Sequence, residues 1–431
     1  MNINFFLLIT SAFILRVALC IQGFFFFTPA SSGDADRYHS CGAYYAGHVT
    51  DSFTQMICDY YYYDSQLNND LYVHFLKNLY LLFGNNVFVG NFSSTILWLI
   101  SVILIYKILS KIRLKDNYKF IILIFFCFSP SSIIYTVVTL RESLQLFLIT
   151  YSTYLLIYIF YFKEKIFFNF LLLVITIAIL SQLHHWFFVV PFILIGLIFF
   201  YMVINLNKYL QLFIYIIFFT TSYIIIQEYD VLNSFTLIVT QYLEGSIGSS
   251  RNIYSTEVWA LDRANMVLNN DGFYYARAQY LFESDICPNL MPGNFGNRTL
   301  NDIVNLSCEN KEMPFLTLTL ILFPKLFFNY FLAPFPFLTI VNLSISDYIL
   351  FFENILRFSL ICYFIKNFLL RRINKFYFFL FLFYLAIEVF FTVGTTNWGT
   401  ASRHHIITYG LLCMISFFSI KNFKNIDEKN K

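Results

Sequence analysis

Long apolar runs separated by short polar segments recur along the chain, for example at residues 120–128, 167–180 and 210–226. A helix needs about 20 mainly apolar residues to cross the hydrocarbon core of a bilayer. The pattern therefore predicts an all-α fold, a polytopic helical membrane protein. It predicts ten spans, at residues 4–27, 88–107, 119–138, 143–162, 166–183, 186–205, 209–227, 348–366, 375–393 and 405–420.

The composition agrees with this interpretation. The chain is 58% hydrophobic and 12% charged, whereas about 25% of the residues of a soluble domain are charged. Residues 1–27 lack the basic start of a signal peptide and stay apolar beyond the length of its apolar region, so we interpret them as the first span. We treat residues 1–431 as a single integral membrane domain.

Lysine and arginine predict the orientation of the spans, because basic short loops stay cytoplasmic. The basic segments lie at residues 107–119, 163–165, 366–375 and 421–431. All four are cytoplasmic if both termini are cytoplasmic. Residues 315–337 are apolar, but a span there would reverse this order, and Pro324, Pro334 and Pro336 interrupt the run. We predict a re-entrant or interfacial segment, covered by protein or lining a cavity.

Two long polar segments, residues 28–87 and 228–314, are predicted as extracytoplasmic loops. The first holds Cys41 and Cys58, and the second holds Cys287 and Cys308. Cysteines gathered on one side of the membrane predict disulfides in an oxidising compartment. Three pairings are open, of which the pairs within each loop are favoured, and free thiols are the alternative.

Ionisable residues gather on the predicted extracytoplasmic side, where all seven histidines fall. Asp34 and Asp36 follow span one, Arg141 and Glu142 precede span four, and Arg403 precedes span ten. An arginine at the bilayer centre costs about 2.5 to 3.5 kcal/mol, so ionisable residues near membrane depth usually face a cavity. The pattern predicts a polar extracytoplasmic pocket.

Such a pocket suits glycosyl transfer from a lipid-linked phosphate donor. Arginine binds phosphate with its planar fork and stabilises the charge on a leaving phosphate. A carboxylate can accept the proton of a sugar hydroxyl, and we predict Asp36 or Asp34 in that role. The predicted substrate-binding residues are Arg37, Arg141, Glu142, His184, His185, Arg403, His404 and His405.

Structural alternatives stand beside these roles. Asp34, Asp36 and Arg37 also fit a solvated loop or the acidic first turn of a helix. Arg141 and Glu142 also fit a local ion pair. Two further charges lie inside predicted spans, and they either pair across helices or line the cavity; these are Arg16 and Glu388.

No metal site and no cofactor is predicted, although a divalent metal would be compatible with phosphate chemistry. The sequence has no zinc spacing such as CxxC and no Gly-rich phosphate loop. Energy for the reaction must therefore arrive in an activated, lipid-linked substrate. No nucleic-acid partner is expected.

Four short motifs resemble a family. They are "GDADRY" after span one, "SPSSIIYTVVTLRES" leading into span four, "APFPF" after the second loop and "NWGTASRHHI" before span ten. The chain resembles bacterial O-antigen polymerases of the Wzy type and, more widely, GT-C glycosyltransferases with polyprenyl-linked donors. The resemblance implies a catalytic carboxylate in the first loop, here Asp34 or Asp36. It also implies cations around the donor pyrophosphate, here Arg141, Arg403 and His404.

Two positions depart from the family pattern. The family's "RHR" ending appears as Arg403-His404-His405, and Phe337 stands where a tryptophan is expected.

Residues and resemblance together predict a surface polysaccharide polymerase of the bacterial inner membrane. It would join undecaprenyl-pyrophosphate-linked oligosaccharides at the periplasmic face, in contact with membrane lipid and, as an option, a chain-length regulator. The alternatives are a GT-C enzyme that adds one sugar from a polyprenyl-phosphate donor, a membrane acyltransferase, and a transporter or flippase of the lipid-linked glycan. The charges cluster at one face and no repeated halves are seen, which argues against a transporter.

Overall fold

Helices form all the regular structure in the described part of the chain, which confirms the predicted helical class. The structure is a computed structural model that describes residues 3–25, 33–50, 71–183, 345–370, 375–394 and 398–418, with isolated residues at 52–58, 190–198 and 327–332. The chain divides into two units. One comprises Met1–Leu194, Ile345–Glu388 and Ser402–Lys431, and the other comprises Ile195–Ser344 and Val389–Ala401. The site described below lies within the first unit.

The helices of the described segments are, in chain order, α1 (Ile3–Phe25), α2 (Gly33–Tyr45), α3 (Leu71–Phe83), α4 (Val87–Lys111), α5 (Asp116–Phe128), α6 (Pro130–Thr136), α7 (Glu142–Leu156, continued by a π-helix at Ile157–Phe162), α8 (Ile166–Ser181), α9 (Ile345–Leu369), α10 (Lys375–Gly394) and α11 (Trp398–Phe418).

Four helical stretches in the described residues are long and apolar enough to cross a membrane. They are Ile3–Gly23, Val87–Lys111, Glu142–Phe162 and Tyr348–Leu369. The pair α5 and α6 makes a fifth if it forms one span with a bend of 52°. A protein with several membrane-crossing helices is thus supported. The predicted loop at 228–314 and the span at 209–227 lie outside the described residues, and so does most of 186–205 and 315–337.

The bend between α5 and α6 follows from the sequence "SPSS". Pro130 has no backbone N–H to continue α5, but its fixed φ suits the first position of a new helix. The side chain of Ser129 caps that helix by accepting a hydrogen bond from the Ser132 backbone N–H. The chain therefore restarts as the short helix α6, and residues 137–141 then lead it into α7.

Two packed helices, α2 and α3, occupy part of the segment that was predicted as the first extracytoplasmic loop. A disulfide joins Cys41 of α2 to Cys58, so the pairing within this loop is confirmed. Gly42 allows the helices to approach closely, because a Cβ there would lie 2.9 Å from the Leu76 Cβ. The disulfide and this close packing fix the position of α2. The predicted partners Cys287 and Cys308 lie outside the described residues.

Candidate functional site

Arg403 connects three segments that are far apart in the sequence. Its Nη1 donates to Asp34 Oδ2 at 2.7 Å, and its Nη2 donates to Glu142 Oε1 at 2.7 Å. Asp34 lies in the first turn of α2, Glu142 opens α7, and Arg403 lies in the second turn of α11. The sequence predicted these three residues for one pocket, and the structure brings them together.

A second guanidinium binds the same aspartate. Arg37 Nη2 donates to Asp34 Oδ1, one helical turn along α2. Burial raises the pKa of the Asp34 carboxyl, but the guanidiniums of Arg403, Arg37 and Arg141 outweigh burial, so the pKa is lowered. Asp34 is therefore an ionised carboxylate held between two arginines at neutral pH.

Arg141 lies beside this group but does not form the local ion pair with Glu142 that was considered. Its Nη1 donates to the Leu183 carbonyl oxygen at 3.5 Å, and its guanidinium carbon lies 5.9 Å from the centre of the Tyr38 ring. Glu142 binds Arg403 instead. Adjacent residues on a helix point about 100° apart, so the two side chains take different partners.

Several buried polar atoms of this group have no hydrogen-bond partner among the residues that the structure describes. They are Nε of Arg141, Nε of Arg403 and Oε2 of Glu142. Buried polar groups in folded proteins are nearly always bonded, and an exception needs an explanation. Three guanidiniums and two carboxylates also leave one net positive charge (+3 − 2 = +1). Unused donors and excess positive charge favour an anionic ligand.

His404 and His405 are neighbours in sequence but lie in different surroundings. His404 is buried and interacts electrostatically with Arg403 and Arg141, so it belongs to the group. His405 Nδ1 lies 2.9 Å from Glu388 Oε2, and Thr408 donates to the same carboxylate. The structure therefore assigns His405 to a separate buried cluster between α10 and α11, and not to the predicted substrate site.

The two predicted catalytic carboxylates also separate. Asp34 and Asp36 lie about 200° apart around α2, because each residue of a helix turns by about 100°. Asp34 faces Arg403, whereas Asp36 is exposed. Both lie in an acidic first turn, where the helix dipole favours carboxylates, so this is the helix alternative and not a solvated loop. The predicted ligands His184 and His185 lie outside the described residues.

The sequence reasoning missed a second ion pair, Glu353 with Arg357 on α9. Arg357 Nη2 donates to Glu353 Oε1 at 2.7 Å, and both side chains are almost fully buried. Ser129 Oγ donates to Oε1 as well, while the N–H and Oγ of Ser131 donate to Oε2 at 3.0 and 2.6 Å. Charges at i and i+4 inside an apolar helix are a signal that could have revealed this pair.

Arg16, on α1, binds α6 from another side. Its Nε donates to Thr136 Oγ1 at 2.9 Å and its Nη2 donates to Ser132 Oγ at 3.0 Å. Its guanidinium carbon lies 3.6 Å from the centre of the Trp98 ring, a cation–π geometry. The considered pairing of Arg16 with Glu388 is thus not seen, since each has other partners.

The described residues contain no group of three or more His, Cys, Asp or Glu side chains arranged to hold a metal ion. No protein-family model, curated protein or solved structure matches this chain. The functional argument therefore depends on the site itself.

Proposed function

We propose that this protein is an O-antigen or related surface polysaccharide polymerase of the bacterial inner membrane, which joins undecaprenyl-pyrophosphate-linked repeat units. The observation that carries the proposal is the bridge from Arg403 to Asp34 and Glu142, with Arg37 and Arg141 beside it. This arrangement offers one candidate base among several phosphate-binding cations.

The proposed reaction assigns a separate task to each side of the group. Asp34 accepts the proton of the acceptor sugar hydroxyl, whose oxygen then bonds to the anomeric carbon of the donor. The bond from that carbon to the phosphate oxygen breaks, and its electron pair leaves with the pyrophosphate. Arg141, Arg403 and His404 stabilise the departing charge. Glu142 holds Arg403 in place.

The proposed topology has ten spans, both termini in the cytoplasm and the site at the periplasmic face. Asp34 follows the end of α1, while Glu142 and Arg403 lie at the starts of α7 and α11. In a ten-span arrangement these three ends fall on the same side, in agreement with their contacts. The disulfide between Cys41 and Cys58 supports an oxidising compartment on that side.

The test is the ladder of surface lipopolysaccharide in a strain that lacks the gene, complemented with the wild type, Arg403→Ala or Arg113→Ala. Arg113 is an exposed arginine after α4, remote from the Arg403 group in the proposed topology, and it serves as the matched control. We expect the uncomplemented strain and the strain with Arg403→Ala to show lipid A-core with a single repeat unit. The strains with the wild type and with Arg113→Ala should show full ladders.

Other patterns would identify other functions. Complete loss of O-antigen in the uncomplemented strain would favour a transporter of the lipid-linked unit. A full ladder whose rungs are all shifted would favour an enzyme that adds a single sugar. A full ladder from well-expressed Arg403→Ala would remove the site assignment.

A further inference from the structure

The Arg403 group is closed on one side and open on the other. The side chain of Glu142 is 2% exposed and that of Arg403 is 13% exposed. Those of Arg37 and Asp34 are 29% and 38% exposed. A ligand from solvent therefore reaches Asp34 first, whereas Glu142 is covered.

The Asp34 carboxylate occupies the position that an oxyanion would take. One of its oxygens accepts from Arg403 and the other accepts from Arg37, so two guanidiniums hold two oxygens of one planar anion. Phosphate oxygens bind arginine through the same hydrogen bonds as carboxylate oxygens do. The arginine pair is thus built for an anion, and the protein's own aspartate fills it.

We propose that Asp34 is a displaceable ligand of Arg403 and Arg37: the pyrophosphate of the lipid-linked donor takes its place, while Glu142 stays bound to Arg403. This inference rests on the proposed function, and it names the anion and the residue that this anion displaces.

Burial of Glu142 explains why Asp34 is the residue that leaves. Glu142 Oε1 depends on Arg403 for its charge-assisted bond, and loss of that bond would leave a buried charge without compensation. Asp34 can turn its carboxylate into water, where solvation replaces the lost bonds. Exchange of Asp34 for pyrophosphate therefore costs little free energy, whereas displacement of Glu142 from Arg403 would cost much.

The displacement would couple donor binding to activation of the base. While Asp34 is paired, the arginines hold its proton affinity low, and a weakly basic carboxylate is a poor proton acceptor. Once pyrophosphate neutralises those arginines, they no longer lower the pKa of Asp34, and the negative charge of the ligand raises it. The base would thus become competent when the donor is in place.

The experiment measures binding of inorganic pyrophosphate to the purified full chain in detergent by calorimetry at fixed ionic strength. The variants are Asp34→Asn, Asp36→Asn and Arg403→Ala. Asp36→Asn is the matched control. It removes the same charge from the same helical turn, but Asp36 lies outside the arginine pair. We expect Asp34→Asn to bind about fivefold more tightly than the wild type, because the internal competitor is gone.

Asp36→Asn is expected to bind like the wild type, and Arg403→Ala to bind more weakly. Equal tightening by Asp34→Asn and Asp36→Asn would show a general charge effect and overturn the exchange. Unchanged or weaker binding by Asp34→Asn, with weaker binding by Arg403→Ala, would overturn the exchange and leave the proposed function in place. No binding by the wild type or by Asp34→Asn would count against the exchange and the pyrophosphate site together.

A second measurement covers the event that Asp34→Asn does not fold. Carbodiimide labelling of carboxylates in the wild type, read by mass spectrometry, reports how accessible Asp34 is, with Asp36 as the internal reference. Sulfate serves as the anion, because phosphates consume the reagent. We expect sulfate to increase labelling of Asp34 relative to Asp36, and a decrease or no change would contradict the exchange.

Discussion

Two ion networks in this protein use the same residue types and differ in how their carboxylates are bonded and in how far they reach solvent. In the Glu353–Arg357 network, both oxygens of the glutamate accept two hydrogen bonds each, and both charged side chains are buried. In the Arg403 group, Glu142 Oε1 accepts from Arg403, but Oε2 has no hydrogen-bond partner among the described residues, and Asp34 lies partly in solvent. The Nε atoms of Arg357 and Arg403 are alike in having no partner among those residues, so the contrast lies in the carboxylates. The Glu353–Arg357 network is enclosed by the protein and serves the fold, whereas the Arg403 group reaches solvent at Asp34 and can bind a ligand there.

The Glu353–Arg357 network also explains how the Arg403 group is positioned. Glu353 binds Ser129 and Ser131 at the start of α6, where amide groups and the helix dipole favour a carboxylate. Arg16 binds Ser132 and Thr136 nearer to the other end of α6. Because only residues 137–140 separate α6 from Arg141 and Glu142, a fixed α6 fixes the start of α7. We infer that the buried charges support the site through this short helix.

The largest effect is expected from Glu353→Leu, which leaves Arg357 buried without a carboxylate. Breaking a buried pair by removing one partner costs about 3 to 5 kcal/mol. Thermal unfolding in detergent, followed by size-exclusion chromatography, should show a large loss of the folded form. The double variant Glu353→Leu with Arg357→Met should recover most of this loss, because no charge is then buried alone. A single variant as stable as the wild type would refute the view that this network holds the fold.

Two matched substitutions, one in each network, should affect different properties: polymer formation in one case and thermal stability in the other. Arg403→Lys should lower polymer formation by about 10²-fold, because an ammonium group cannot bridge two carboxylates and bind a pyrophosphate as a planar fork does. Its thermal stability should fall less than that of Arg357→Lys, since the lysine keeps the positive charge beside Glu142 and Asp34 lies partly in solvent.

Arg357→Lys should do the opposite and destabilise the folded form by about 2 kcal/mol, because a buried bond to Glu353 is lost. The two measurements are the lipopolysaccharide ladder and the melting temperature of the same two proteins. If both variants lose stability equally and activity equally, the distinction between the networks fails.

The sequence predicted the segments of the site better than the contacts within it. The apolar runs indicated the helices, and the positions of Asp34, Glu142 and Arg403 at the ends of three of them predicted a common pocket. The choice of partner could not be predicted, because Arg403 is 261 residues from Glu142 and the pairing depends on the rotation of each helix. Helices that are apolar on every side give no periodic signal of that rotation.

The difference between Asp34 and Asp36 could not be predicted while the segment after span one was interpreted as a loop. In an extended segment Asp34 and Asp36 would be equivalent candidates, whereas on a helix they face different surroundings. The Glu353–Arg357 pair escaped notice because two charges did not prevent its segment from being predicted as a span. Charges inside apolar segments carry more structural information than the apolar residues around them.

An effect smaller than that of Glu353→Leu concerns the helix that presents Asp34. Cys41→Ser removes the disulfide to Cys58, which closes a loop across a sequence separation of 17, and the expected loss is about 2 to 3 kcal/mol in the chain-entropy model. The double variant Cys41→Ser with Cys58→Ser should lose no more than the single one, because both remove the same bond. Melting temperatures with and without reductant check this, and reductant should not affect the variants. A wild type that reductant does not change would contradict a stabilising role.

The smallest effect is the contribution of Asp34 to stability as a function of pH. Its pKa in the folded protein lies below the unfolded value of about 3.9, because Arg403 and its neighbours outweigh burial. The stabilisation is therefore fully present above about pH 4 and is lost as the pH falls through the lowered folded value. Since Asp34 is 38% exposed, solvent screening should keep the contribution below about 1 kcal/mol. The difference in melting temperature between the wild type and Asp34→Asn should thus shrink on acidification below about pH 4. A difference that grows on acidification would mean that the arginines do not stabilise the charged form of Asp34, and the exchange with pyrophosphate would lose its basis.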